Sequence, residues 1–169
     1  TGDRVFRLEY GEAHVAIRAG SPPEQPDNVV QPFGRITMAL YASSDYVRRK
    51  GCPKSDADFD GHEFVAQDND TSRAPFDAWL RSHVPARSIV YRASATDALR
   101  DAVLSGAGIG FLSTWEARRF EGLTQVIAPR DEWVAPLWLV THVDLHRTTK
   151  VQSYLRHLKE AAGYWDIGV

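Results

Sequence analysis

Ala93-Ser94-Ala95-Thr96-Asp97-Ala98-Leu99-Arg100-Asp101-Ala102-Val103-Leu104-Ser105-Gly106-Ala107-Gly108-Ile109-Gly110-Phe111-Leu112-Ser113 is the stretch whose reading decides the fold. Ser94 or Thr96 is expected to cap a helix, because a short side-chain oxygen accepts from the free amides of a first turn. Ala98, Leu99, Ala102 and Val103 fall on one helical face, with Asp97, Arg100 and Asp101 outside it. Gly106 and Gly108 stop the helix, since glycine takes the left-handed terminal conformation without a Cβ penalty. Ile109 to Leu112 then reads as a short buried strand. The unit is half of an α/β crossover, and its helix start is a natural place for an anion or carboxylate.

Working outward, the rest of the chain alternates strand and helix. His14 to Ile17 is expected to be a strand. Residues 20–35 hold Pro22, Pro23, Pro26, Pro32, Gly20 and Gly34, which reads as an extended connection. Ile36 to Ala42 is a strand covered on both faces. Ser43 caps a helix that runs to Lys50. Glu63 to Gln67 is a strand, Ala74 to Val84 a helix burying Phe76, Trp79 and Leu80, and Ser88 to Ala93 a strand. Thr114 to Phe120 reads as a helix, Leu123 to Ala128 and Leu137 to Thr141 as strands. A last helix spans Thr148 to Ala162, with Val151, Tyr154, Leu155 and Leu158 on one stripe, and residues 3–11 read as a short amphipathic helix. The alternation predicts parallel α/β layers, in which ligands sit beyond the carboxyl ends of strands.

The chain has 169 residues, 43% hydrophobic and 25% charged, enough for one full core or two small lobes. A net charge of −2 offers no basic footprint for nucleic acid. The single cysteine, Cys52, rules out an internal disulfide and fits a reducing compartment. No apolar run reaches the ~18 residues of a membrane span, and no secretory leader pattern opens the sequence.

Several motifs carry less than they suggest. Gly106-Ala107-Gly108-Ile109-Gly110 has the order helix, glycines, strand, whereas a dinucleotide site needs strand, glycines, helix. Asp56 to Gly61 imitates the start of a calcium loop, but Gln67 stands where a bidentate Glu is required. His142 and His146 form no metal motif, and no metal site or cofactor is expected. Ser94, Ser113, Asp97 and His142 offer the residue types of a triad without a nucleophile elbow, so no catalysis is expected. Arg18 ends a strand at a predicted ligand edge, where a guanidinium can pair with a carboxylate or serve as a surface ion pair. The five tryptophans read as core and interface anchors rather than a binding box, Trp138 in the return strand being the one singled out.

Taken in order, several stretches resemble the effector-binding domain of LysR-type transcriptional regulators. Gly11-Glu12-Ala13-His14-Val15-Ala16-Ile17-Arg18 is similar to that family's GEADVAIR, with His14 where Asp is usual. Leu40-Tyr41-Ala42-Ser43, Tyr46 and Gly51-Cys52-Pro53 resemble its LxAS…Y…GxP segment. Phe76 to Leu80, Asp97-Ala98-Leu99 to Gly110, Gly122-Leu123 with Val126 and Pro129, and Leu137 to His142 continue the match over nearly the whole chain.

The resemblance implies a two-lobed, periplasmic-binding-protein-like (type II) α/β fold with two crossover strands at a hinge and an incomplete first lobe. Residues 1–34 and 137–169 would form lobe one, residues 35–136 lobe two. It further implies a small organic, anionic effector in the cleft, touching Arg18, Ala19, Ser43, Ser94, Ala95 and Thr96. DNA would be contacted only through a winged helix-turn-helix absent from this sequence, in a cytoplasmic homodimer or homotetramer. An extracytoplasmic solute-binding protein of the same fold is the alternative.

Overall fold

The structure is a computed structural model that describes Leu8, residues 12–69, Ser72 and residues 74–162. By contact between Cα atoms the chain divides into two units, residues 37–134 and a second unit in which residues 12–36 join 135–162. The expected helix over residues 3–11 lies outside the described residues, Leu8 apart.

The first unit is built on β3, Met38–Ser43, every residue of which is buried. Continuous hydrophobicity from Met38 to Ala42 suits a central strand, and β3 pairs antiparallel with β6, Gly110–Ser113, on one side and β7, Leu123–Ile127, on the other. β4, Phe64–Gln67, runs parallel to β5, Ile89–Ala93. A parallel bridge at Phe64 and Ile109 joins them to the start of β6, with the Val65 amide donating to the Ile109 carbonyl at 2.8 Å. The resulting order is β5-β4-β6-β3-β7, a mixed sheet rather than the parallel layer expected. The chain enters at Met38 and runs away from that edge, while the other four strands run back toward it, so β3 alone is reversed.

Helices α1, Ser44–Lys50, α2, Pro75–His83, α3, Thr96–Leu104, and α4, Thr114–Ala117, connect these strands. Ser43 caps α1 as expected, its hydroxyl oxygen accepting from the Tyr46 amide at 3.2 Å. α2 starts on Pro75, where a missing amide costs nothing, and buries Trp79 and Leu80. α4 is one turn only, shorter than the expected helix to Phe120.

α3 differs from expectation at its start and agrees at its end. Its N-cap is Ala95, with no side-chain cap; Ser94 lies one residue outside and Thr96 is the first helical residue. Its C-terminus is a Schellman turn. The Ala107 amide donates to the Ala102 carbonyl at 3.0 Å and the Gly106 amide to Val103 at 3.0 Å, with Gly106 at φ +80°. The next two glycines allow close approach instead. A Cβ on Gly108 would stand 2.9 Å from the Glu63 carbonyl oxygen, and one on Gly110 would stand 2.4 Å from Val65 Cγ2. The glycine run thus stops a helix and seats the following strand against β4.

The second unit holds β1, Ala16–Ala19, β2, Asn28–Ile36, and β8, Ala135–His142, ordered β1-β8-β2 and antiparallel throughout. β2 occupies much of the expected extended connection. Pro32 is tolerated because β2, among the described residues, pairs only with β8 and is bulged between Pro32 and Gly34, which turns Phe33 into the core. α5, Val143–His146, leads to α6, Thr149–Ala162, which buries Val151, Leu155, Leu158 and Ala162 over Phe33, Leu137 and Leu139. Tyr154, expected on that stripe, is 51% exposed.

Candidate functional site

In the first unit, the start of β3 and the ends of β4, β5 and β6 meet along one edge. Met38 pairs with Ser113, and the Asp68 amide beyond β4 donates to the Ala93 carbonyl at 3.0 Å. With its amide nitrogen turned toward the next strand, Gln67 donates to the Ser94 carbonyl at 3.3 Å and to the Ala93 carbonyl. This pins the turn that presents Ser94, Ala95 and Thr96, all three exposed.

Below that turn lies a cavity of about 200 Å³. Its floor is Val65, Ala66 and Gln67 of β4 with Met38 and Phe111 from β3 and β6; Thr96 and Leu99 of α3 close one side, and Ala74, Phe76, Asp77 and Leu80, with Ser72, the other. Most of this surface is apolar and the polar groups are few, the usual make-up of a small-molecule site.

The apolar wall is held from behind. Phe76 packs on Phe111 with ring centroids 5.5 Å apart, and Phe111 meets Trp133 edge-on at 4.9 Å. Trp133 is fully buried and meets Trp79 at 4.9 Å. The Arg130 guanidinium lies 5.2 Å from the Trp79 ring and 4.8 Å from the Trp133 ring, and Nη1 donates to Asp56 Oδ2 at 2.9 Å. Side chains locked in this way keep the floor of a site in one geometry.

Asp77 is the charged group on the wall. Its Oδ2 accepts the Ser72 hydroxyl at 2.5 Å. Burial pushes its carboxyl above the ordinary carboxylate range, against the opposing pull of the Ser72 bond and the Arg81 charge.

Of the residues expected to bind an effector, Thr96 lines this cavity, and Ser94 and Ala95 form the turn above it. Ser43 does not join them. It lies at the opposite end of β3 from Met38, about 17 Å away at ~3.3 Å per residue, and is 5% exposed beneath α1. Arg18 and Ala19 belong to the second unit. Arg18 pairs with Trp138 across β1 and β8 and reaches Gln25 Oε1 at 3.5 Å, while Ala19 is exposed. Trp138 donates from Nε1 to the Gly20 carbonyl at 2.8 Å, fixing the turn after β1.

The other tempting residues have structural tasks. Ser113 caps α4 through the Glu116 amide at 3.1 Å, and His142 caps α5 through the Asp144 amide at 3.3 Å. In the acidic loop Asp58 Oδ2 accepts the Lys54 and Ser55 amides at 3.0 Å each, and Asp56 belongs to Arg130. Among the described residues no group of three or more His, Cys, Asp or Glu side chains could hold a metal ion. No helix among them is long and apolar enough to cross a membrane.

Sequence reasoning missed Met38, Gln67, Phe111 and Asp77. The first three share an edge only because β3 is reversed against its neighbours, which no local pattern reveals. Asp77 sits in a helix whose apolar residues absorbed the reading.

Residues 1–163 match the model of the LysR substrate-binding domain. The chain therefore belongs to that family, whose fold is the periplasmic-binding-protein-like type II. Among solved structures, the regulatory domain of CrgA, a LysR-type transcriptional regulator from Neisseria meningitidis, superposes with a TM-score of 0.75 at 24% identity, over 92% of this chain and 78% of that one. Full-length AphB, a virulence activator of Vibrio cholerae, gives a TM-score of 0.66 at 17% identity, over 92% of this chain and 54% of that one. CbnR, a LysR family transcriptional regulator, gives 0.65 at 13% identity, again over 92% and 54%. The chain thus spans about half the length of full-length regulators. No curated protein sequence matches it significantly.

Proposed function

We propose that the chain is the effector-sensing part of a LysR-type transcriptional regulator, and that the cavity under the Ser94–Thr96 turn receives the effector. The observation that carries this reading is a preformed, mostly apolar cavity at the carboxyl edge of a mixed sheet, with Thr96, Gln67 and Asp77 among its lining, in a chain of this family. DNA is contacted by residues outside this sequence, in the cytoplasm and in a homo-oligomer. An effector acts by population shift: it moves the regulator by its differential affinity for two states and by nothing else. Family membership favours this role over a solute-binding protein of the same fold.

The test is a thermal-shift screen of small organic compounds on the full-length regulator, followed by its footprint on promoter DNA with each hit. A ligand present at 100 times its Kd stabilises the native state by about 2.7 kcal/mol, a readable shift. Thr96→Val and the cavity-filling Leu99→Phe are expected to weaken every effector that alters the footprint. An effector whose affinity neither change affects refutes the site.

A further inference from the structure

The described wall of the cavity carries one formally charged side chain, and its charge is negative. Asp77 stands in the first turn of α2, with Oδ2 bonded to the Ser72 hydroxyl at 2.5 Å; among the described residues no hydrogen bond reaches Oδ1. Arg81, one turn further on, donates from Nη2 to the Ser72 carbonyl at 3.0 Å. The neighbouring surface is Phe76, Leu80, Leu99 and Phe111. Asp77 is half-buried with one bonded oxygen among the described residues, and that burial is what raises its pKa. A positively charged N–H donor offsets that burial most, because charge-assisted hydrogen bonds are the strong ones. A carboxylate ligand would instead meet like charge.

We infer that this cavity binds a small amine or amidine with a compact apolar body, its cationic head on Asp77 and its body between Phe76, Leu99 and Phe111. This rests on the sensing role proposed above and replaces the organic anion implied by the sequence resemblance with a cation. The volume of about 200 Å³ suits such a body, since an apolar cavity of about 150 Å³ holds one benzene ring.

Three probes of one shape and different charge test it on the 169-residue chain at pH 7.5: benzyl alcohol, benzylamine and benzoate, titrated by calorimetry and by NMR shifts. Benzylamine is expected to bind about tenfold tighter than benzyl alcohol, the gain of a positively charged donor over a neutral hydroxyl on the same carboxylate, and benzoate weaker than either. Asp77→Asn should erase the preference for the amine over the alcohol, and Asp77→Glu should keep part of it. Benzyl alcohol binding with no gain for benzylamine, or a preference that survives Asp77→Asn, overturns the charge assignment alone. Failure of all three probes overturns the proposed amine ligand, and the sensing role is then judged by the effector screen on the full-length regulator.

Discussion

Gly110 is the position where the packing of the first unit is least forgiving. Building a Cβ there places it 2.4 Å from Val65 Cγ2 and 2.7 Å from Val103 Cγ2, where carbon atoms rest at about 3.5–4.0 Å. Both overlaps approach or exceed an ångström. Neither neighbour can give way easily: valine is stiff at χ1, and both side chains are buried in a cluster with Ala39, Tyr41 and Leu112. Gly110→Ala therefore falls at the upper end of the overpacking range, about 2–3 kcal/mol. At roughly 2–4 °C per kcal/mol for a chain of this size, Tm should drop by about 4–12 °C. Differential scanning calorimetry reads the drop, and a double-mutant cycle reads its cause. Removing Val65 Cγ2 by Val65→Ala makes room for the new methyl, so the double variant should be more stable than the two single losses sum to, by about 1 kcal/mol or more. A Tm for Gly110→Ala within about a degree of the parent, or strict additivity with Val65→Ala, refutes the close-approach account of this glycine.

Ser43→Ala removes the cap on α1 and should cost about 1 kcal/mol in urea unfolding, with no change in the affinity of any ligand of the cavity. Asp77→Asn should raise Tm at pH 7 and lose that advantage toward pH 4. Burial holds the folded pKa above the unfolded one, so the stability that belongs to the protonated carboxyl is present at low pH and lost as pH rises through the folded pKa. His62 has the opposite sign. Burial, and then the Lys50 charge, lower its pKa, and Tyr46, whose oxygen accepts the Glu63 amide at 2.9 Å, has its hydroxyl proton left for His62 Nδ1 at 3.0 Å. Its contribution holds above the unfolded pKa and falls away on acidification, so His62→Gln should flatten the loss of Tm between pH 7.5 and 5. Millimolar calcium should leave Tm unchanged, because Asp56 and Asp58 are bonded to Arg130 and to backbone amides; a rise of several degrees would restore the calcium-loop reading.

Where a local rule decided the outcome, the sequence was legible. Ser43, Pro75, Gly106 and the stripe Val151, Leu155, Leu158 stand where capping chemistry and helical period put them. Residues 106–110 stand in the expected order of helix, glycines and strand. What escaped depends on partners distant in sequence. β2 was hidden by Pro32 and Gly34, which are breakers in isolation and harmless on a bulged strand paired on one side. The direction of β3 was hidden because alternation of strand and helix does not record where the chain enters a lobe. Ala95 took the cap position between two better capping residues, which only the path of the backbone out of β5 decides.

The reversal of β3 also sorts the expected site residues by role. Thr37 accepts the Thr114 amide at 2.9 Å, so the chain enters the first unit beside the end of β6, and β7 pairs Ile127 with Leu40 as it returns toward the same edge before the chain leaves at Val134. Every strand end that could face a ligand near the entry is therefore gathered with Met38, and the far end of β3 is left to anchor α1. Ser43 and Thr96 look alike in sequence, each a small hydroxyl residue between a strand and a helix. They stand at opposite edges because one follows a strand running away from the entry and the other a strand running toward it. Stability should follow the first and ligand affinity the second, and a variant series that mixed the two effects at either position would show that the edge itself had been misassigned.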